Sequence, residues 1–113
     1  MTPAMLTLLV ALSDGEQHGY ALMERVEELT AGGVRLGPGT LYRTLQRLRV
    51  EELIMEVGAD PVAERADRRA ERRRRYAITR AGRAAAAAEL RHLHALVTSE
   101  EATRLLDRAK PKE

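Results

Sequence analysis

The sequence predicts a mainly α-helical fold with a small two-stranded β hairpin, and three observations predict it. Apolar residues recur at helical spacing in three successive segments before residue 50. Two short segments suited to β structure follow, Leu53–Val57 and Arg74–Thr79, separated by a polar stretch. An alanine-rich segment with a leucine stripe fills most of the remaining chain.

The first helix runs from Pro3 to Ser13, with Met5, Leu8, Leu9 and Leu12 on one face, Thr2 as its cap and Pro3 at a first helical position. Asp14-Gly15-Glu16 makes a turn, and a second helix begins at His18 or Gly19 and carries Tyr20, Leu22, Met23, Val26 and Leu29. Thr30-Ala31-Gly32-Gly33 stops it. After Gly37-Pro38-Gly39, the leucines 41, 45 and 48 define a third helix and leave Thr40, Arg43, Thr44, Gln46, Arg47 and Arg49 for its other faces. In the second strand Tyr76 and Ile78 share a face. A long helix from Arg83 to Val97 follows. A capping box of Thr98 with Glu101 then opens a short last helix reaching about Arg108, with Leu105 and Leu106 inward.

Three helices followed by two strands joined by a long basic loop make a winged helix-turn-helix, the simplest fold that uses every segment. The expected organisation is a winged unit over 1–80, a C-terminal helical dimerisation segment over 81–109 and a flexible tail over 110–113. With 113 residues there is room for one core, and with neither Phe nor Trp it must be built from Leu, Val, Ile, Met and Ala. A core that small often gains stability from a partner subunit.

Charge is distributed unevenly although the formal net value is only +2. Residues 1–30 hold one base against five acids, whereas residues 58–83 hold nine arginines against four acids. An arginine-rich segment of this kind points to an anionic partner at one place. Cysteine is absent, and no apolar run is long enough to cross a bilayer, so a cytoplasmic chain without a membrane partner is expected. Enzymatic function finds little support, because there is no cysteine nucleophile, no glycine-rich phosphate loop and no carboxylate pair at catalytic spacing. His92 and His94 lie two apart on a helix and diverge, so they make a poor metal pair, and His18 sits at the turn before the second helix. Neither a cofactor nor a metal is expected.

Leu8-Leu9, His18-Gly19-Tyr20, Gly37-Pro38-Gly39-Thr40-Leu41-Tyr42, Leu45, Leu48, Leu53-Ile54, Arg75-Tyr76-Ala77-Ile78-Thr79 and Ala81-Gly82 occur in an order and spacing that resemble the PadR family. The resemblance covers about the first four-fifths of the chain. It departs at Gly37, where a small polar residue is usual, and at Glu52, where a glycine is usual. Glu52 is therefore expected to take a left-handed backbone conformation at the end of the third helix, or the turn to differ. The resemblance implies a homodimeric repressor with its third helix in the major groove, its wing on the backbone or minor groove, its C-terminal helix against the other subunit, and release from DNA by small molecules or stress. Some relatives hold flat aromatic ligands between tryptophans, which this chain lacks. An effector pocket between the C-terminal helix and the core, lined by Leu or Met, stays open.

For double-stranded DNA, Thr40, Arg43, Thr44 and Arg47 share a face of the third helix apart from the leucines. Arginine can pair with guanine O6 and N7, and threonine can meet a thymine methyl or a phosphate. Tyr42 either hydrogen-bonds a phosphate or tucks its ring beside Leu45. Arg72, Arg73 and Arg74 are candidate wing contacts among Arg65, Arg68, Arg69 and Arg75, the alternative being a solvated loop paired with Glu64, Asp67 and Glu71. The stripe Leu90, Leu93, Leu96 and Val97 either dimerises or folds back on its own core. Two other functions compete: a winged helix that binds protein instead of DNA, and a regulator of another winged-helix family such as MarR.

Overall fold

A computed structural model describes residues 1–58 and 74–109, and the described residues form five helices and a three-stranded antiparallel sheet. The elements are α1 (Pro3–Leu12), β1 (Gln17–His18), α2 (Gly19–Leu29), α3 (Pro38–Val50), β2 (Ile54–Val57), β3 (Arg75–Ile78), α4 (Arg80–Val97) and α5 (Glu100–Arg108).

Helix α1 is the hub of the core. The Thr2 hydroxyl caps it by accepting from the Met5 amide at 3.1 Å. Because α2, α3, β3 and α4 all pack on α1, it buries Leu6 and Ala11 in addition to the predicted face of Met5, Leu8, Leu9 and Leu12. Helix α2 buries a narrower stripe than its sequence predicts: Leu22 and Val26 are fully buried, while Tyr20 and Leu29 face solvent. Leu41, Leu45 and Leu48 of α3 complete the centre, joined by Ile54 and Tyr76 from the sheet and Ala86 from α4.

The chain turns out of both α2 and α3 in the same way. After α3, the Leu53 amide donates to the Leu48 carbonyl and the Glu52 amide to the Arg49 carbonyl, each at 2.9 Å. After α2, Gly32 donates to Glu27 and Ala31 to Glu28. These are Schellman endings, which need a left-handed residue at the pivot. Glu52 (φ 61°) and Ala31 (φ 49°) occupy those pivots, so Glu52 adopts the conformation expected of it.

The sheet order is β1-β3-β2, with Glu56 opposite Tyr76 in one pairing and Gln17 opposite Tyr76 in the other. Strand β1 corrects the two-stranded expectation. It has only two residues and no alternation of its own, and it is recruited because β3 offers an edge beside it. Two helix starts are also corrected. Helix α4 begins at Arg80 and not at Arg83, capped by Thr79, whose hydroxyl accepts from the Gly82 amide at 3.0 Å and donates to the Glu52 carbonyl at 2.7 Å. Helix α5 is capped by Ser99, which accepts from Ala102, while the Thr98 hydroxyl bonds back to the His94 carbonyl and closes α4. Leu105 and Leu106 are exposed in the chain, not inward, because α5 buries none of its residues against its own core.

Candidate nucleic-acid interface

Pro38 at the first turn of α3 has no amide proton to satisfy, and Gly37 caps through its backbone alone. The leucine face is turned inward against α1 and α2, which leaves the rest of the helix outward. Thr40, Arg43, Thr44 and Arg47 meet Thr2, the cap of α1, and Met5 of α1 around one shallow groove of about 230 Å³. Arg43 Nη2 reaches the Thr40 hydroxyl at 3.4 Å. The Thr44 hydroxyl donates to the Thr40 carbonyl at 2.7 Å, so its proton is spent within the helix and it offers a partner its methyl group and acceptor lone pairs. Arg47 Nε stands 3.8 Å from Glu51 Oε1 with both side chains well exposed, a pair loose enough to yield to a phosphate or a base edge.

Tyr42 is not part of this groove. At about 100° per residue it lies on the opposite flank of α3 from Thr40 and Thr44. Its ring rests against Gly19, where an added Cβ would stand 3.1 Å from Tyr42 Cε1 and 3.2 Å from its hydroxyl oxygen. Half-buried there, Tyr42 is close enough to Tyr76 to affect its ionisation. The ring is thus half-buried against Gly19.

Behind Tyr42 lies a charged cluster that the sequence did not disclose. Glu56 Oε1 accepts from Arg49 Nη1 at 2.9 Å and from Arg74 Nη1 at 3.2 Å, and Arg74 also hydrogen-bonds the Tyr76 side chain. Cross-strand pairing explains the gathering: Glu56 opposes Tyr76 directly, and Arg74 precedes Tyr76 by two residues on the same face. Burial, reinforced by the Glu56 carboxylate, pushes the Tyr76 pKa above the ordinary tyrosine value, with Arg74 acting in the opposite direction. Gln46, which the sequence leaves on an outer face of α3, is exposed there, and its Oε1 accepts from Arg49 Nη1 at 3.3 Å.

Of the candidate wing residues, Arg74 is half-buried at the root of the hairpin. Arg65, Arg68, Arg69, Arg72 and Arg73 lie outside the described residues. Arg75 points to the other face of β3, where Nη1 is 2.9 Å from Glu16 Oε1. His18 ends β1, caps α2 without a side-chain bond and stacks on Tyr20 with centroids 5.6 Å apart.

Leu90, Leu93, Leu96 and Val97 are all exposed in the single chain, as α4 buries only Gly82 and Ala86. An apolar crevice of about 300 Å³ lies between α1, β3 and α4, walled by Leu9, Val10, Ile78, Ala86 and Leu90 with Arg83 at its edge. Among the described residues no helix is long and apolar enough to cross a membrane, and no three of His, Cys, Asp and Glu gather as metal ligands would.

The chain matches the model of the transcriptional regulator PadR-like family over residues 8–88. It is 42% identical over 91 residues to the transcriptional regulator Rv3488 of Mycobacterium tuberculosis, covering 80% of this chain and 76% of that one. It is 39% identical over 80 residues to a 37.1 kDa protein of transposon TN4556 from Streptomyces fradiae, covering 71% of this chain but only 20% of that longer protein. In fold it resembles a PadR family transcription regulator from Clostridium difficile, with a TM-score of 0.65 at 19% identity, covering 93% of this chain and 99% of that one. The motif series of the sequence, the winged architecture and these matches agree: the chain belongs to the PadR-like family of transcriptional regulators.

Proposed function

We propose that this chain is a sequence-specific, double-stranded-DNA-binding transcriptional regulator that acts as a homodimer. The observation that carries the reading is the outward face of α3, where Thr40, Arg43, Thr44 and Arg47 converge on one open groove while the leucine face is locked into the core. Arg43 and Arg47 read base edges in the major groove, Thr40 and Thr44 contact a thymine methyl or the backbone, and the α3 N-terminus favours a nearby phosphate. The wing arginines Arg72 and Arg73 add sequence-independent backbone contacts. Tyr42 supports α3 from behind and Arg74 braces the wing. The exposed stripe of Leu90, Leu93, Leu96 and Val97 supports pairing of two chains, which would place two α3 helices on successive half-sites. Repression, and relief of it by a small molecule, are carried over from the family resemblance; the crevice beneath α4 is the place we assign to such an effector.

The test is fluorescence anisotropy with DNA from just upstream of the protein's own gene, beside a scrambled duplex of equal length, at two salt concentrations. Tight binding to the first and weaker, salt-sensitive binding to the second is expected. Arg43→Ala and Arg47→Ala should each cost about 1–3 kcal/mol on the specific site and much less on the scrambled one. Absence of duplex binding at low salt would sink the reading and favour a protein-binding role for the same face.

A further inference from the structure

Five of the described arginines and acids around α3 and the hairpin differ in how tightly they are held. Arg47 and Glu51 are loose and exposed, whereas Glu56 is only 17% exposed and receives two guanidinium groups on one oxygen. Those groups come from different elements: Arg49 from the last turn of α3, and Arg74 from the residue that leads into β3. The carboxylate on β2 therefore ties the end of the base-reading helix to both strands of the wing. Tyr76, 3% exposed, backs the arrangement and fixes Arg74 by a further hydrogen bond. Among the described residues, no other carboxylate bridges two elements in this way.

Taking the DNA-binding reading as its premise, we infer that Glu56 is a specificity-determining positioning residue: it sets the wing against α3 and holds Arg49 and Arg74 away from the phosphates of non-operator DNA. An arginine engaged by a half-buried carboxylate adds little to counterion release, because it must first give up that partner. Without Glu56 both guanidinium groups lose their shared carboxylate and Arg49 in particular can turn to any duplex, Arg74 still being held in part by Tyr76, and the wing loses its fixed angle to the helix. Binding to arbitrary DNA then rises while the advantage of the correct sequence falls. A residue that merely stabilised the fold would instead weaken binding to every duplex together.

The experiment compares wild type, Glu56→Gln, Arg49→Gln and the Glu56→Gln/Arg49→Gln pair on a scrambled 24-base-pair duplex across a salt series. Glu52→Gln serves as the control for loss of one negative charge nearby, and circular dichroism melting accompanies each variant. For Glu56→Gln the slope of log K against log salt should steepen by about 1–2, from one or two additional phosphates neutralised at about 0.9 each. Arg49→Gln alone should leave the slope unchanged, and in the Glu56→Gln background it should remove about one unit of the added slope. Glu52→Gln should change the slope by less than Glu56→Gln does. If Glu56→Gln keeps the wild-type slope, or if Arg49→Gln alone flattens it by about one unit, the inference is overturned. If Glu56→Gln does not fold, the Arg49→Gln result decides alone. Failure of the wild-type protein to bind any duplex at low salt overturns the DNA-binding premise and the inference with it, a result separable from the others because it needs no variant.

Discussion

Glu52 stands at a backbone position that favours glycine, with φ at 61° and its amide and that of Leu53 both committed to the closing turn of α3. A side chain there costs about 1 kcal/mol relative to glycine. Glu52→Gly is therefore expected to stabilise the protein by about 0.5–1 kcal/mol, read as a higher urea midpoint at unchanged slope. A neutral or destabilising result would mean that the greater freedom of glycine in the unfolded chain outweighs the relief of strain. The strain was legible in the sequence because the motif series places a turn at Glu52 where glycine is usual. The partners of Arg74 were not legible. Local sequence surrounds it with arginines and offers Glu71 as the nearest acid, while its observed carboxylate, Glu56, is 18 positions away and reaches it only through strand pairing. Separation along the sequence likewise hid the contact of Tyr42 with Gly19.

At the scale of elements, the leucine spacing of α3 identified its buried face, since Leu41, Leu45 and Leu48 are all fully enclosed. Helical periodicity reports burial well when one side of a helix meets the core, and less well for α1, which is covered on several sides and so buries more than one stripe. It could not report β1, whose two residues owe their conformation to the neighbouring β3. Caps were a mixed case, because Thr79, Thr98 and Ser99 are all competent capping residues and only backbone direction chooses among them. Thr79 has the larger structural role. Its hydroxyl accepts from the first turn of α4 and donates to the Glu52 carbonyl, joining the helix start to the turn that ends α3. Thr79→Ala removes both bonds and should destabilise by about 1–2 kcal/mol, lowering the melting temperature by roughly 4–8 °C for each kcal/mol in a chain of this size. A melting temperature within a degree of wild type would show that water replaces both bonds without loss.

The whole molecule is longer than its core requires. Its Cα radius of gyration is 16.6 Å, against about 13 Å for a compact chain of this length, and its extents are 56 × 31 × 20 Å. The elongation is consistent with α4, which is held to the core near its start by Gly82 and Ala86 and exposes its leucines from Leu90 onward, and with α5, which buries nothing. An exposed stripe of four aliphatic side chains followed by Leu105 and Leu106 is a surface that solvent disfavours, and a second copy of the chain is the occupant that the proposed function calls for. The alternative weighed from sequence, folding back on the same core, makes a different prediction for Leu96→Glu. Leu96 is 63% exposed in the single chain, so a charge there costs the isolated subunit little. If two chains meet through this stripe, the substitution places a carboxylate in an apolar seam, and wild type should sediment at about twice 12.6 kDa while the variant sediments as one chain. The melting temperature of wild type should then rise with protein concentration and that of the variant should not, since association adds stability by mass action. The variant should also lose binding to a two-half-site operator while retaining the weaker, salt-sensitive binding of a single winged unit. A variant that keeps the wild-type mass but melts at a lower temperature at every concentration would instead assign the stripe to the chain's own core.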